Sequence, residues 1–167
     1  NAWLYYGGGL ELWQEMYAEQ FNVVPFPAGN TGVQMAGWFN KEINSIDDLR
    51  GLKMRIPGVG GEVMQRAGVS QVTVPASEIF TSLQTGAIDA AEWVGPYNDI
   101  QLGLHRVARY YYYPGWHEMG PMLQCTIHKE AWDSLPADLQ DIVRSACQAI
   151  NTDIMAEYTW GNAIALD

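Results

Sequence analysis

A chain of 167 residues can bury one real core, and 48% apolar with only 17% charged side chains excludes a disordered chain. A net charge of −10, from 19 acidic against 9 basic residues, excludes a nucleic-acid interface and a basic membrane-surface patch. An anionic ligand must therefore be caught by a local cation against the overall field. No apolar run approaches a membrane span. Cys125 and Cys147 match no metal spacing, and His105, His117 and His128 form no paired-ligand pattern. A Cys125–Cys147 disulfide cannot be read from the sequence, and buried free thiols are the default expectation.

The chain opens inside an apolar-aromatic run at Ala2-Trp3-Leu4-Tyr5-Tyr6 and closes in an uncapped apolar stretch, which is expected of a fragment. Gly7-Gly8-Gly9 precedes a helical face made by Leu10, Leu12, Trp13, Met16 and Tyr17. The glycine run lacks the spacing of a phosphate loop and reads as a turn. Residues 21–26 read as a strand and residues 27–32 as a loop. Gln34 is the one polar side chain in the apolar run 33–39, and is equally a satisfied core amide or a site ligand.

Ser45 and Asp48 form a capping-box-like start to a short helix that stops at Gly51. Strands are expected at 52–56 and 69–74, with helices from Glu62 to Ala67 and from an N-cap at Ser77 to Gly86. A buried strand then surfaces at Glu92-Trp93-Val94-Gly95-Pro96. This strand-helix alternation over 52–94 implies a largely parallel α/β sheet. Residues 99–107 are weakly helical; residues 110–113 and 122–128 read as strands. Ser134 is the expected N-cap of a last helix starting near Ala137, with Leu139, Ile142, Val143 and Ala146 on its buried face.

Arg55 and Glu92 both fall at carboxyl-side ends of expected strands, the edge where open α/β sheets bind ligands. A guanidinium there can bind a carboxylate through two parallel hydrogen bonds, although a surface salt bridge is the commoner fate of an arginine. Gln34, Glu92 and Glu118 supply hard oxygens that suit Na⁺, Mg²⁺ or Ca²⁺; the same residues also read as solvated carboxylates and a core amide. Glu92 and Glu118 can alternatively be a hydrolase carboxylate pair. No nucleophilic Ser/His/Asp or Cys/His set stands out.

An ordered series of motifs carries a resemblance. Gly51-Leu52-Lys53-Met54-Arg55-Ile56-Pro57-Gly58, Gly86-Ala87-Ile88-Asp89-Ala90 and Glu92-Trp93-Val94-Gly95-Pro96 resemble the DctP-type substrate-binding proteins of TRAP transporters. Gly29-Asn30-Thr31-Gly32-Val33-Gln34, residues 110–118 and Asp133-Ser134-Leu135 extend the resemblance over essentially the whole chain. It points to the branch that binds 2-oxo or 2-hydroxy monocarboxylates, such as pyruvate or lactate, with a cation. The resemblance implies a periplasmic-binding-protein-like, two-lobed α/β fold, here mostly one lobe plus hinge segments. Residues from about 30 to 92 would be strand-helix units of one lobe, and 93–167 crossover strands and C-terminal helices. It also implies a chain about half the family's length, lacking the N-terminal half and the extreme C-terminus.

By position, the resemblance makes Arg55 the partner of the substrate carboxylate, with Trp93 and Gln34 beside the substrate. Gln34, Glu92, Glu118 and the backbone carbonyl of Trp93 become the ligands of a bound Na⁺ or Ca²⁺. The implied function is binding, not catalysis: a periplasmic receptor that delivers its ligand to membrane permease subunits, with a homodimer in the full-length protein. The competing classes are the Glu92–Glu118 hydrolase and a ligand-sensing receptor domain.

Overall fold

Seven strands form two separate sheets in the computed structural model, which describes residues 1–167. In chain order the elements are α1 (Ala2–Tyr6), α2 (Gly9–Phe21), β1 (Val23–Asn30), β2 (Gly37–Phe39), β3 (Lys53–Arg55), α3 (Gly58–Arg66), β4 (Ser70–Val72), α4 (Ala76–Thr85), β5 (Ala90–Ala91), α5 (Pro96–Leu102), β6 (Tyr110–Tyr112), β7 (Met122–His128), α6 (Lys129–Asp133) and α7 (Ala137–Leu166). Short 3₁₀ turns lie at Ile46–Leu49 and Leu104–Arg106. The chain divides into two compact units, Asn1–Thr31 with Met122–Glu157, and Gly32–Pro121 with Tyr158–Asp167. No helix is long and apolar enough to cross a membrane.

In the first unit β1 and β7 pair antiparallel, with Phe26 opposite Cys125. β1 runs on to Asn30 through the stretch expected to be a loop. Each strand of a two-stranded sheet has an open edge, where the missing N–H of Pro25 and Pro27 is tolerated. Phe26, Trp132 and Cys147 form the buried core of this unit. Buried Asn151 is fully engaged: its Oδ1 accepts from Gly29 N at 3.2 Å, and its Nδ2 donates to Asn1 Oδ1 and Tyr5 Oη at 3.1 and 3.3 Å.

Two expectations for the last helix are corrected. The buried stripe of α7 runs through Val143, Cys147, Asn151 and Ile154, whereas Leu139, Ile142 and Ala146 are exposed. The apolar residues of this helix are spread round more than one face, so periodicity alone could not pick the covered one. Ser134 closes α6 instead of capping α7, and its Oγ donates to the Ala131 carbonyl at 2.8 Å.

The second unit is built on a five-stranded sheet of order β4-β3-β5-β2-β6. β4, β3 and β5 are parallel, as the alternation over 52–94 implies; β2 and β6 add antiparallel strands. Strand alternation sends neighbouring side chains to opposite faces. Ala90 packs with Leu52, Met54, Ile56 and Met64 of α3, and Ala91 packs with Ile79 and Leu83 of α4. Both faces are therefore covered by apolar groups, which is why β5 and its surroundings read as one continuous apolar run.

The capping box at Ser45 and Asp48 forms, and Gly86 ends α4 in the left-handed conformation with φ 73°. Ser77 does not cap α4, because the helix starts at Ala76 behind the extended Pro75. α3 likewise begins at Gly58, ahead of the expected Glu62, where Pro57 brings the chain in with an extended ψ of 170°. Its glycine-rich first turn allows close approach: a Cβ on Gly60 would lie 3.0 Å from the Cβ of His117.

Candidate functional site

β3 and β5 end side by side, with Arg55 opposite Ala91, so Glu92 emerges next to Arg55. The backbones lock here, since Glu92 N donates to the Arg55 carbonyl at 3.0 Å. Arg55 Nη1 returns a hydrogen bond to the Glu92 carbonyl at 2.7 Å and also donates to the Glu92 carboxylate Oε1. The other carboxylate oxygen, Oε2, lies 3.0 Å from His117 Nε2. Glu92 is 1% exposed, so its charge is removed from water. A buried carboxylate persists only when paired and hydrogen-bonded, and Arg55 and His117 supply those partners. The Arg55 guanidinium also sits 5.2 Å from the centroid of the Trp93 ring. That contact holds its plane in a fixed attitude.

Residues 34–36 extend β2 between its two neighbours. Met35 N donates to the Val94 carbonyl at 3.0 Å and Ala36 N to the Tyr112 carbonyl at 2.8 Å. Gln34 N donates to the Glu118 carbonyl at 3.1 Å, and the Gln34 carbonyl accepts from Gly115 N at 2.7 Å. Gln34 is thus tied by its backbone to the segment that carries His117 and Glu118. Its side chain is buried, and Oε1 has no hydrogen-bond partner. An orphaned amide oxygen of this kind calls for an explanation such as an ion or ordered water.

Glu92, His117 and Glu118 each offer a ligand atom, all within 4.8 Å of one another. Glu118 is half-buried, and its carboxyl is held above the ordinary carboxylate range, mainly by burial and then by the charge of Glu92. The charges of His117 and Arg55 pull it the other way. Extra positive charge at this point would therefore be met by groups that need it. The carboxylates and the Gln34 amide are a hard-oxygen donor set, and a hard cation fits them.

The sequence reading omitted His117 and Asp99. His117 stands beside Glu118, but its partner Glu92 is 25 residues away, so no local spacing marks it. Asp99 is 1% exposed and braces the loop after β5. Its Oδ1 accepts from Val94 N at 3.1 Å, and its Oδ2 accepts from Trp38 Nε1 at 3.0 Å and Tyr111 Oη at 2.8 Å. The Trp38 and Tyr111 rings stack at 3.9 Å, closing this support from one side. Burial pushes the Asp99 carboxyl up, a shift its three donors offset only in part. Burial also pushes the Tyr111 phenol up, with the charge of Asp99 adding to it. The one available signal was an acid in the first turn of a helix opening on Gly95-Pro96.

The closeness of Gly115 to Gln34 gives a direct test of how this frame is held. A methyl group at Gly115 would lie 2.5 Å from the Gln34 carbonyl oxygen. Gly115→Ala should cost about 2 kcal/mol by overpacking and lower Tm by roughly 5 °C. Thermal unfolding by circular dichroism checks this; an unchanged Tm would mean that the 113–118 segment yields freely.

The whole chain, residues 1–167, belongs to the family described as bacterial extracellular solute-binding protein, family 7, DctP. It is 54% identical over 165 residues to the monocarboxylate 2-oxoacid-binding periplasmic protein of Nostoc sp., covering 99% of this chain and 45% of that one. A TRAP periplasmic solute binding protein from Pseudoalteromonas atlantica, solved with bound sodium and pyruvate, matches with a TM-score of 0.90 at 50% identity. One from Colwellia psychrerythraea, solved with bound calcium and pyruvate, matches with a TM-score of 0.93 at 48% identity. Each match covers 99% of this chain and 50% of the solved chain. The chain therefore spans about half the length of the relatives it matches.

Proposed function

We propose that the protein is the solute-binding receptor of a TRAP transporter. It captures a small 2-oxo or 2-hydroxy monocarboxylate, such as pyruvate or lactate, with a bound Na⁺ or Ca²⁺, in the periplasm. It then delivers that ligand to the membrane permease subunits. The observation that carries this reading is the carboxylate cluster around buried Glu92, with Arg55 hydrogen-bonded to it and Gln34, whose buried amide oxygen has no partner, tied by its backbone to Glu118. The names of the Nostoc relative and of the two pyruvate-bound structures support the ligand class.

Gln34, Glu92, Glu118 and the Trp93 carbonyl would hold the cation. When bound, the cation supplies positive charge for the 2-oxo or 2-hydroxy oxygen of the ligand. Arg55 supplies the other recognition element, since a guanidinium presents two parallel donors that match a carboxylate. The Trp93 ring against Arg55 keeps that fork in one orientation and gives an apolar wall to the ligand's short chain. The Asp99, Trp38 and Tyr111 bracket holds Val94, and so the Trp93 backbone, in place.

Calorimetry on the complete protein tests this reading. Pyruvate should bind in calcium-containing buffer and bind at least ~10-fold more weakly after chelation in sodium-free buffer, a difference of about 1.4 kcal/mol. Equal affinity in the two buffers would remove the cation, and no heat with pyruvate or lactate would remove the ligand class.

A further inference from the structure

The core of the first unit brings together the chain's only two cysteines. Cys125 lies on β7, and strand alternation puts it on the same face as Ile127. Cys147 lies on α7 one turn beyond Val143, on the buried stripe that continues to Asn151. Cys125, Ile127, Val143 and Cys147 all belong to the one cluster around Phe26 and Trp132. Both thiols face this one cluster, Cys125 from the strand and Cys147 from the helix. Neither sulfur belongs to the Glu92 cluster, so this pair has no part in the ligand site.

We propose that Cys125 and Cys147 close an intrachain disulfide tethering α7 to β7. This rests on the periplasmic location proposed above, because such bonds form in oxidising compartments and are rare in the cytosol. The oxidant is a protein disulfide of the periplasmic thiol-oxidase class. Cys125, the less buried of the two, attacks one sulfur of that disulfide. A mixed disulfide forms and one oxidant thiolate leaves. Cys147 then attacks the Cys125 sulfur, the intrachain bond forms, and the second oxidant thiolate leaves. Two thiols are oxidised; two electrons and two protons pass to the oxidant, which departs as a dithiol.

The order of attack follows from environment. Burial and the neighbouring Cys125 push the Cys147 thiol up, which makes it a poor first nucleophile, so its attack follows once Cys125 carries the mixed disulfide.

The test uses the complete protein, reduced and then exposed to a purified thiol oxidase in its disulfide form. The peptides carrying Cys125 and Cys147 should be joined, with a mass two hydrogens below the sum of the reduced pair, and neither thiol should react with iodoacetamide after denaturation. Cys125→Ser and Cys147→Ser should each keep the remaining cysteine out of any intrachain bond. The bridged form should melt about 5–10 °C above the reduced form, as expected for closing a loop of roughly 20 residues. Cys125 and Cys147 both still alkylatable after oxidation, or a dimer disulfide-linked through them instead of the intrachain bond, would overturn the proposal. The wild-type mass needs no variant to fold. Alkylation of protein released from cells by osmotic shock separates the two readings. Cys125 and Cys147 both free in the shock fluid would sink the disulfide and leave export standing. Protein retained in the cytoplasm would sink the export reading, and the oxidation in vitro would still decide the pairing.

Discussion

Arg55→Lys is expected to weaken pyruvate binding about 100-fold while leaving the protein folded. The substitution keeps a positive charge at the end of β3, so the test separates charge from geometry. Lysine is a compact point charge and cannot present two parallel donors to one carboxylate. It also loses the planar contact that Arg55 makes with Trp93, whose ring centroid is 5.2 Å from the guanidinium carbon. One lost charge-assisted hydrogen bond is worth about 1.5–3 kcal/mol, and the lost ring contact about 0.5–1 kcal/mol. Their sum, about 3 kcal/mol, is a factor of ~100 in Kd. Stability should change little, because a lysine ammonium still opposes the buried Glu92. Calorimetry with pyruvate in saturating calcium measures the affinity, and thermal unfolding measures the fold. A Kd within about twofold of wild type would restrict Arg55 to holding Glu92.

How much of this was legible beforehand follows from the range over which each interaction acts. Alternation of short apolar strands with capped helices is local, so the parallel order of β3, β4 and β5 could be anticipated. So could the placing of Arg55 beside Glu92 at one sheet edge, because strand ends are marked by Pro57 and Gly95-Pro96. β1 was cut short because residues 27–32, from Pro27 through Gly29 and Asn30, have turn chemistry, and only the pairing with β7 shows that the strand runs on to Asn30. The covered face of α7 was misread for the same reason: the strand it packs against, not its own pattern, decides which apolar residues are buried. His117 and Asp99 escaped notice because their roles are set by partners 25 and 61 residues away. The pairing of Cys125 with Cys147 was out of reach for a like reason, since helix phase and strand register must both be known first.

Glu92→Gln is expected to abolish the calcium dependence of pyruvate binding and to lower Tm by on the order of 10 °C. The two effects have one origin. Glu92 is 1% exposed, and its two carboxylate oxygens are divided between Arg55 and His117. Glutamine keeps the size and one acceptor but removes the charge that offsets the largely buried Arg55 guanidinium. Leaving one member of a buried ion pair without its counter-charge costs about 3–5 kcal/mol. The amide also turns an N–H₂ group toward one of two neighbours selected for a carboxylate. At the proposed cation site the charge supplied by protein falls from two carboxylates to one, which should leave a hard divalent cation too weakly held to influence the ligand.

Glu118→Gln provides the contrast. Glu118 is only half-buried, and its carboxyl is already held up by burial and by Glu92. Neutralising it relieves that repulsion, so calcium dependence should be lost with Tm nearly unchanged. If both variants lose calcium dependence and only Glu92→Gln loses stability, the carboxylates share the cation while Glu92 alone anchors Arg55. A Glu92→Gln protein whose pyruvate affinity still responds to calcium as wild type does would remove Glu92 from the cation site. Its buried charge would then serve only to fix Arg55 and His117.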